Sequence, residues 1–324
     1  MSSSISLIQN ENMKIYRRPR TWIMFLILIG ALILMTVLFK TFDTKPTATQ
    51  DWKTQVELSI KEDQQSLTSL PKEMGQDTIA KITNNIENRI KISEYRLEHN
   101  LNPYENTLWS SMNNMAMLTS LVTLLTIIVA ADMIAAEFSW GTIKLLLIRP
   151  ATRTKILINK YIATLLFSLV LLIVMFITSF LLGAITEGFT GLSQVDLYIG
   201  SDGLVHERSM VLQVLKTYGF QIVSLIMYVT LSFMISSAFR SSAMAIAFSL
   251  GLMLVGNTIV GLFSGYNWVK YTLFANLDLT QYFGGLEPLR PDMTLGFSII
   301  MLVAYFIVFH LVSWLLFIKR DVAG

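Results

Sequence analysis

The chain has 324 residues, of which 53% are hydrophobic and 15% charged, and it contains no cysteine. A soluble globular domain carries about a quarter charged residues, so that class is excluded, and so are disulfide frameworks, thiolate nucleophiles and cysteine-based metal centres. The formal charge of +3 becomes informative only when it is divided between the two sides of a membrane.

The apolar residues fall into blocks of about 17 to 25, the length that crosses about 30 Å of hydrocarbon. The expected fold is therefore an all-α polytopic membrane protein with six transmembrane helices. Residues 1–20 carry Leu7, Ile8, Met13, Ile15 and Tyr16, then Arg17, Arg18 and Arg20. This pattern suits an amphipathic helix lying at the interface, and a frayed basic tail is the plainer alternative. The first span is 21–40. It is longer than a signal-peptide core and lacks a convincing small-residue cleavage site, so it is read as retained. Residues 41–112 form the one polar domain. Val56, Ile60, Leu67 and Leu70 mark one helical stripe, and Ile79, Ile82, Ile86 and Ile90 a second, with Pro71 and Gly75 between them. The spacing of three and four predicts a helical hairpin, placed outside the cytoplasm. Its aliphatic stripes are too small for a core of their own, so it packs on itself, on the spans or on another copy.

The second span is 113–135, followed by a loop at 136–160. The third span is 161–186, and 187–217 is a polar, glycine-containing outer loop. The fourth span, 218–239, turns through Arg240 into the fifth, 243–263. Residues 264–293 form an outer loop crowded with aromatic side chains, suited to an interfacial or re-entrant segment. The sixth span is 294–318, and 319–324 is a short tail. Lys and Arg set the orientation. Lys14, Arg17, Arg18, Arg20, Lys144, Arg149, Arg153, Lys155, Lys160, Arg240, Lys319 and Arg320 fall on one side, against Arg208, Lys216, Lys270 and Arg290 in the two short loops on the other. Both termini and the 136–160 loop are therefore expected in the cytosol.

No Gly-x-x-x-x-Gly-Lys-Ser/Thr loop is present, so no ATP site of that kind is expected in this chain. There is no His-Glu-x-x-His or Gly-x-Ser-x-Gly pattern. The reading is a non-enzyme, with no cofactor, metal or nucleic-acid partner of its own. His206 beside Glu207 reads as a solvated pair, and His310 as a neutral imidazole bonded between helices. Asp132 either pairs with a basic residue of the following loop or is simply hydrated. Asn257, Thr258, Asn113 and Asn114 suit a substrate path or helix–helix hydrogen bonds equally. Ala243, Ala247 and Gly251 recur every four residues, a small-residue face that lets helices approach closely, within one subunit or between two.

The loop at 136–160 is basic yet contains the nearly all-apolar run Ile143–Ile148. Glu137 and Ser139 are placed to satisfy backbone N–H groups, Gly141 to allow a sharp turn, Arg149 and Pro150 to end the short helix, and Thr152 to cap the next one. Docking of a partner and an interfacial helix lying on lipid both fit this pattern.

Glu137, Gly141, Thr142, Lys144, Leu146, Pro150, Arg153 and Lys160 resemble the coupling loop of permease subunits of ABC-2 type ATP-binding-cassette transporters. The opening Glu11-Asn12-Met13-Lys14-Ile15-Tyr16-Arg17-Arg18 is similar to that family's amphipathic N-terminal helix, and Phe317-Ile318-Lys319-Arg320-Asp321-Val322 to its C-terminal signature. The large 41–112 domain departs from the minimal family pattern. The resemblance implies a permease in a prokaryotic plasma membrane, exporting a substrate with ATP bound and hydrolysed by a separate ATPase subunit. It also implies a second permease subunit, identical or related, and it favours Ala243, Ala247 and Gly251 as part of that interface. Arg153 and Lys160 are expected to anchor the loop at anionic lipid or at the ATPase, and Glu137 to hold its turn. The alternative is a non-transporting sensor or immunity protein that couples an extracellular ligand to a cytosolic partner.

Overall fold

The computed structural model describes residues 4–42, 51–69, 76–143, 152–200, 202–283 and 288–319. In chain order the helices are α1 (Ser4–Tyr16), α2 (Pro19–Phe42), α3 (Trp52–Thr68), α4 (Gln76–Glu98), α5 (Leu108–Met115), α6 (Thr119–Ser139), α7 (Arg153–Glu187), α8 (Met210–Ala238), α9 (Ser242–Leu262), α10 (Leu273–Asn276) and α11 (Leu295–Ile318). Two strands, β1 (Val195–Ile199) and β2 (Val205–Ser209), pair antiparallel before α8. Six helical stretches among these residues are long and apolar enough to cross a membrane: α2, α5 continued through a 3₁₀ turn into α6, α7, α8, α9 and α11. The protein is an all-α polytopic membrane protein.

The spans differ in how much of them the chain itself covers. α6 and α8 form the centre and α2, α9 and α11 the rim. The central pair can pack closely because Ala130, Ala131, Ala135 and Ala136 on α6 are buried against larger neighbours. Ser236 Oγ on α8 accepts the backbone N–H groups of Ile134 and Ala135 at 3.0 and 3.1 Å. Such a cross-helix bond satisfies a hydroxyl that would otherwise be unpaired in an apolar setting. The rim helices turn long apolar side chains outward, Leu26 and Leu34 on α2 and Ile300 and Leu311 on α11 among them. That is the expected outer surface of a membrane bundle.

α7 starts earlier than the sequence pattern predicted, at Arg153, because Thr152 caps it by accepting the Lys155 N–H at 3.2 Å. α8 likewise begins at Met210, so part of the predicted polar loop is helix and another part is the β-hairpin. Gly203, at φ +73°, turns that hairpin. The α3–α4 pair forms the predicted hairpin. The two arms pack on each other, Val56 and Ile86 are their buried aliphatic residues among those described, and Arg89 reaches Asp63 at 2.5 Å. Pro71 and Gly75 lie outside the described residues. The hairpin packs on itself and also on the β-hairpin, where Tyr95 Oη donates to Glu207 at 3.3 Å and Lys91 to the Gly203 carbonyl at 3.3 Å.

The aromatic loop before α11 folds back against the spans. Leu273, Leu277 and Leu279 join the buried cluster of α6, α8 and α11. Asn276 is fully buried, donating to the carbonyls of Lys270 and Thr272 and accepting from Ser298 Oγ, each at 2.7 Å. Gly256 on α9 makes room for the Phe274 ring of this loop, which a Cβ there would meet at 2.5 Å. Tyr266, Trp268 and Tyr271 stay exposed.

Candidate functional site

The end of the bundle that holds α1, the end of α6, the start of α7 and the end of α11 carries a network of charges. Lys160, about two turns into α7, is only 2% exposed. Its Nζ donates to Glu11 of α1 at 2.7 Å and to Glu137 of α6 at 2.8 Å. Glu11 and Glu137 are themselves buried. Lys14 closes the cluster from the solvent side, at 2.8 Å from Glu11 and 3.2 Å from Glu137. A buried ammonium is tolerated only when paired and hydrogen-bonded, and here two carboxylates from two different helices perform that role. The expectation that Lys160 reaches lipid or a partner surface is corrected by this geometry: its charge is spent inside the protein.

Glu137 also accepts the Thr142 hydroxyl at 2.5 Å. Gly141 stands between them at φ +69°, a left-handed turn that favours glycine. The first residues of the loop are thus folded back onto the buried ion pair. Arg153, at the loop's far end, donates to the Ile318 carbonyl at the end of α11 at 2.8 Å, and the neighbouring Thr154 accepts from the Trp314 indole at 3.0 Å. Lys144, Leu146 and Pro150 lie outside the described residues.

Beside this cluster Asp132, also buried, accepts from Arg18 at 2.5 Å, from Arg20 and from the Ser242 hydroxyl. The expectation that Asp132 pairs with the following loop, or is left to water, is therefore corrected. Its partners come from the α1–α2 junction and from the start of α9. Ser139, expected to satisfy a backbone N–H, accepts that of Ser242 at the start of α9 at 3.0 Å, and its hydroxyl lies 3.1 Å from both the Ala135 and the Arg240 carbonyls. A cavity of about 20 Å³ lies between the two networks, walled by Glu11, Arg18, Arg20, Glu137 and Lys160 among others; it is large enough for about one water. The Arg18 guanidinium also lies over the Trp140 ring, 4.5 Å from its centroid.

α1 can take part because its apolar face carries an acid. Leu7, Ile8, Glu11 and Ile15 share one side, and Glu11 and Ile15 are buried against α7. The junction with α2 is closed by Thr21 Oγ donating to the Ile15 carbonyl at 2.6 Å and by the Trp22 indole donating to that of Tyr16 at 3.0 Å. Burial raises the pKa of the Glu11 carboxyl, but Lys160 and Lys14 outweigh it and hold the value below the ordinary one. A depressed acid stabilises the fold above its unfolded pKa, about 4.3 for glutamate, and that contribution is lost as the pH falls through the lower folded value. α1 is therefore expected to stay docked at neutral pH and to loosen in acid. A spin label on Met13→Cys, the sole thiol in a chain without cysteine, should sharpen its spectrum below about pH 4, and Glu11→Gln should remove that pH dependence.

The remaining sequence candidates are scattered. His310 Nδ1 lies 2.9 Å from the Phe306 carbonyl of its own helix, and the ring stands edge-on to Tyr161 at 4.6 Å; its contact between helices is aromatic. His206 pairs with Asp202 at 2.9 Å. Asn257 and Thr258 are exposed. Ala243 and Ala247 are exposed and Gly251 is half-covered, with nothing within 4 Å of a Cβ built on Gly251. Ala245, Ser249, Gly256 and Val260 are the α9 residues packed inside the chain.

Residues 79–323 match the model of a family described as "Protein of unknown function (DUF2705)". The chain belongs to this family. It is also similar to the uncharacterized protein YhcI of Bacillus subtilis strain 168, with 40% identity over 324 residues, 99% of this chain and 100% of that one. That likeness takes in α1, which the family match does not. The uncharacterized membrane protein YdbK of the same organism is 33% identical over 207 residues, 63% of this chain and 79% of that one. A relative described as a membrane protein agrees with the six spans of this DUF2705 chain.

Proposed function

We propose that this chain is the permease subunit of an ABC-2 type transporter, exporting a substrate with a separate ATPase subunit that binds ATP. The observation that carries the reading is the buried Glu11–Lys160–Glu137 network, joined through Thr142 to the first residues of a loop whose sequence resembles the family's coupling loop. Through Glu137, Thr142 and Lys160, a force on the loop reaches α1, α6 and α7 together. Through Ser139 and Asp132 it reaches α2 and the α8–α9 turn. Rigid helices joined in this way move as bodies, as a change between inward and outward arrangements requires.

On this reading the loop and both termini face the cytosol of a prokaryotic cell, in agreement with the distribution of Lys and Arg. The run Ile143–Ile148 takes the ATPase, and the face of Ala243, Ala247 and Gly251, exposed at both alanines among the described residues, takes a second permease subunit. The test is a pull-down of the tagged chain from mild detergent beside Leu146→Asp. The expected result is an ATPase with a phosphate-binding loop that co-purifies with the wild type and is lost from the variant. If neither protein brings down an ATPase, the transporter reading is overturned, and a sensor working through the α3–α4 hairpin takes its place.

A further inference from the structure

At the opposite end of the bundle lies a cavity of about 400 Å³ between α5, the start of α8, the β-hairpin and the turn Leu279–Tyr282. The α8 wall is Gln213, Lys216, Thr217, Phe220 and Gln221. Spacings of three and four place these on one helix face, so a helix that otherwise reads as a membrane span has a polar stripe at its start. Polar side chains in a span persist where they face protein or a water-filled cavity rather than lipid. This stripe faces the cavity, and Asn113 looks into it from α5.

Two features give the cavity a chemistry. The first is charge. Arg208 is spent on Asp196 at 2.6 Å, and the Thr280 hydroxyl on Asp278 at 2.5 Å. Lys216 meets no carboxylate within ion-pair distance among the described residues; its ammonium lies 5.9 Å from the centroid of the Phe283 ring. The amide side chains of Asn113, Gln213 and Gln221 likewise have no hydrogen-bond partner among the described residues. The second feature is an apolar wall, where Phe220 and Phe283 stack with centroids 4.6 Å apart. A lysine reaching for the membrane surface would account for Lys216 alone. It would not account for a polar stripe, unspent amides and an aromatic pair around one volume, which lies in the range of small-molecule sites, about 300–1,000 Å³.

We propose that this cavity binds a small organic carboxylate with an apolar or aromatic portion. The carboxylate sits at Lys216 with the amides as donors, and the apolar portion lies against Phe220 and Phe283. One uncompensated cation balances one negative charge, which favours a carboxylate over a doubly charged phosphate. The site lies within a single chain and needs no ATPase, so it stands or falls apart from the permease reading.

The test uses the full chain in phosphatidylcholine nanodiscs and fluorine NMR of N-acetyl-4-fluorophenylalanine, its neutral amide and 4-fluorophenyl phosphate, with empty nanodiscs as the baseline. The acid should bind saturably and the amide about tenfold more weakly, the scale of one charge-assisted hydrogen bond. Lys216→Gln should weaken the acid by a similar factor, and Lys216→Arg should keep it. Phe283→Ala should weaken acid and amide alike. Absence of saturable binding, equal binding of acid and amide, tighter binding of the phosphate ester, wild-type affinity in Lys216→Gln, or equal losses in the Gln and Arg variants would each overturn the assignment.

Discussion

Lys160→Met is expected to lower the stability of the chain by about 3–5 kcal/mol, the usual cost of stripping a buried ion of its partner, and to free α1 from the bundle. The magnitude follows from where the charges sit. Lys160 is 2% exposed, and the side chains of Glu11 and Glu137 are 7% and 12% exposed. Removing the ammonium leaves two carboxylates from different helices facing each other with little water. Lys14 bonds both, but from the rim, with 34% of its side chain exposed. Lys14→Met should therefore cost far less, within the range of about 0–1 kcal/mol for exposed pairs. The readouts are the thermal unfolding midpoint in detergent and the mobility of a spin label at Met13→Cys. A triple variant with Glu11→Gln and Glu137→Gln added to Lys160→Met should recover most of the loss, because neutral groups replace the whole network. If Lys160→Met keeps both the wild-type midpoint and the wild-type spectrum, the network does not hold α1.

The spans were legible because each is a long apolar block, and the α3–α4 hairpin because Ile79, Ile82, Ile86 and Ile90 repeat at helical spacing. The pairings in the charged site were not. Glu11 and Lys160 are 149 residues apart, and periodicity carries no information about contacts at that range. A lone lysine near the end of a span ordinarily reaches for the surface, which agrees with the anchor role given to Lys160 with the coupling-loop resemblance. The useful signal was Glu11 itself, an acid at the helical register of Leu7, Ile8 and Ile15, on the face that α1 buries. The β-hairpin was hidden for another reason. Each strand is five residues long, too short for alternation to stand out beside four glycines. Gln213 and Lys216 read as loop because they precede the apolar run, although α8 has already begun at Met210.

Asp132→Asn is expected to cost about 1–3 kcal/mol, the scale of charged hydrogen bonds lost from a buried acceptor, and to loosen α2 and α9 from α6 rather than α1 from α7. Asp132 is buried, but its guanidinium partners are not: the side chains of Arg18 and Arg20 are 28% and 35% exposed. Freed of the carboxylate they can turn to water, so no charge is stranded as it is in Lys160→Met, and the loss is smaller. The neutral amide still accepts from Ser242 or from one arginine, and Asp132→Leu, which accepts from neither, should cost more. The two networks meet across one small cavity, so the losses in an Asp132→Asn/Lys160→Met double variant should fall short of or exceed their sum by more than about 0.5 kcal/mol, the limit for independent sites. Strict additivity would mean that the α1–α7 contact and the α2–α6–α9 contact are separate, and that a movement of the loop need not reach both. Coupling would mean that the loop bears on one connected set of helices.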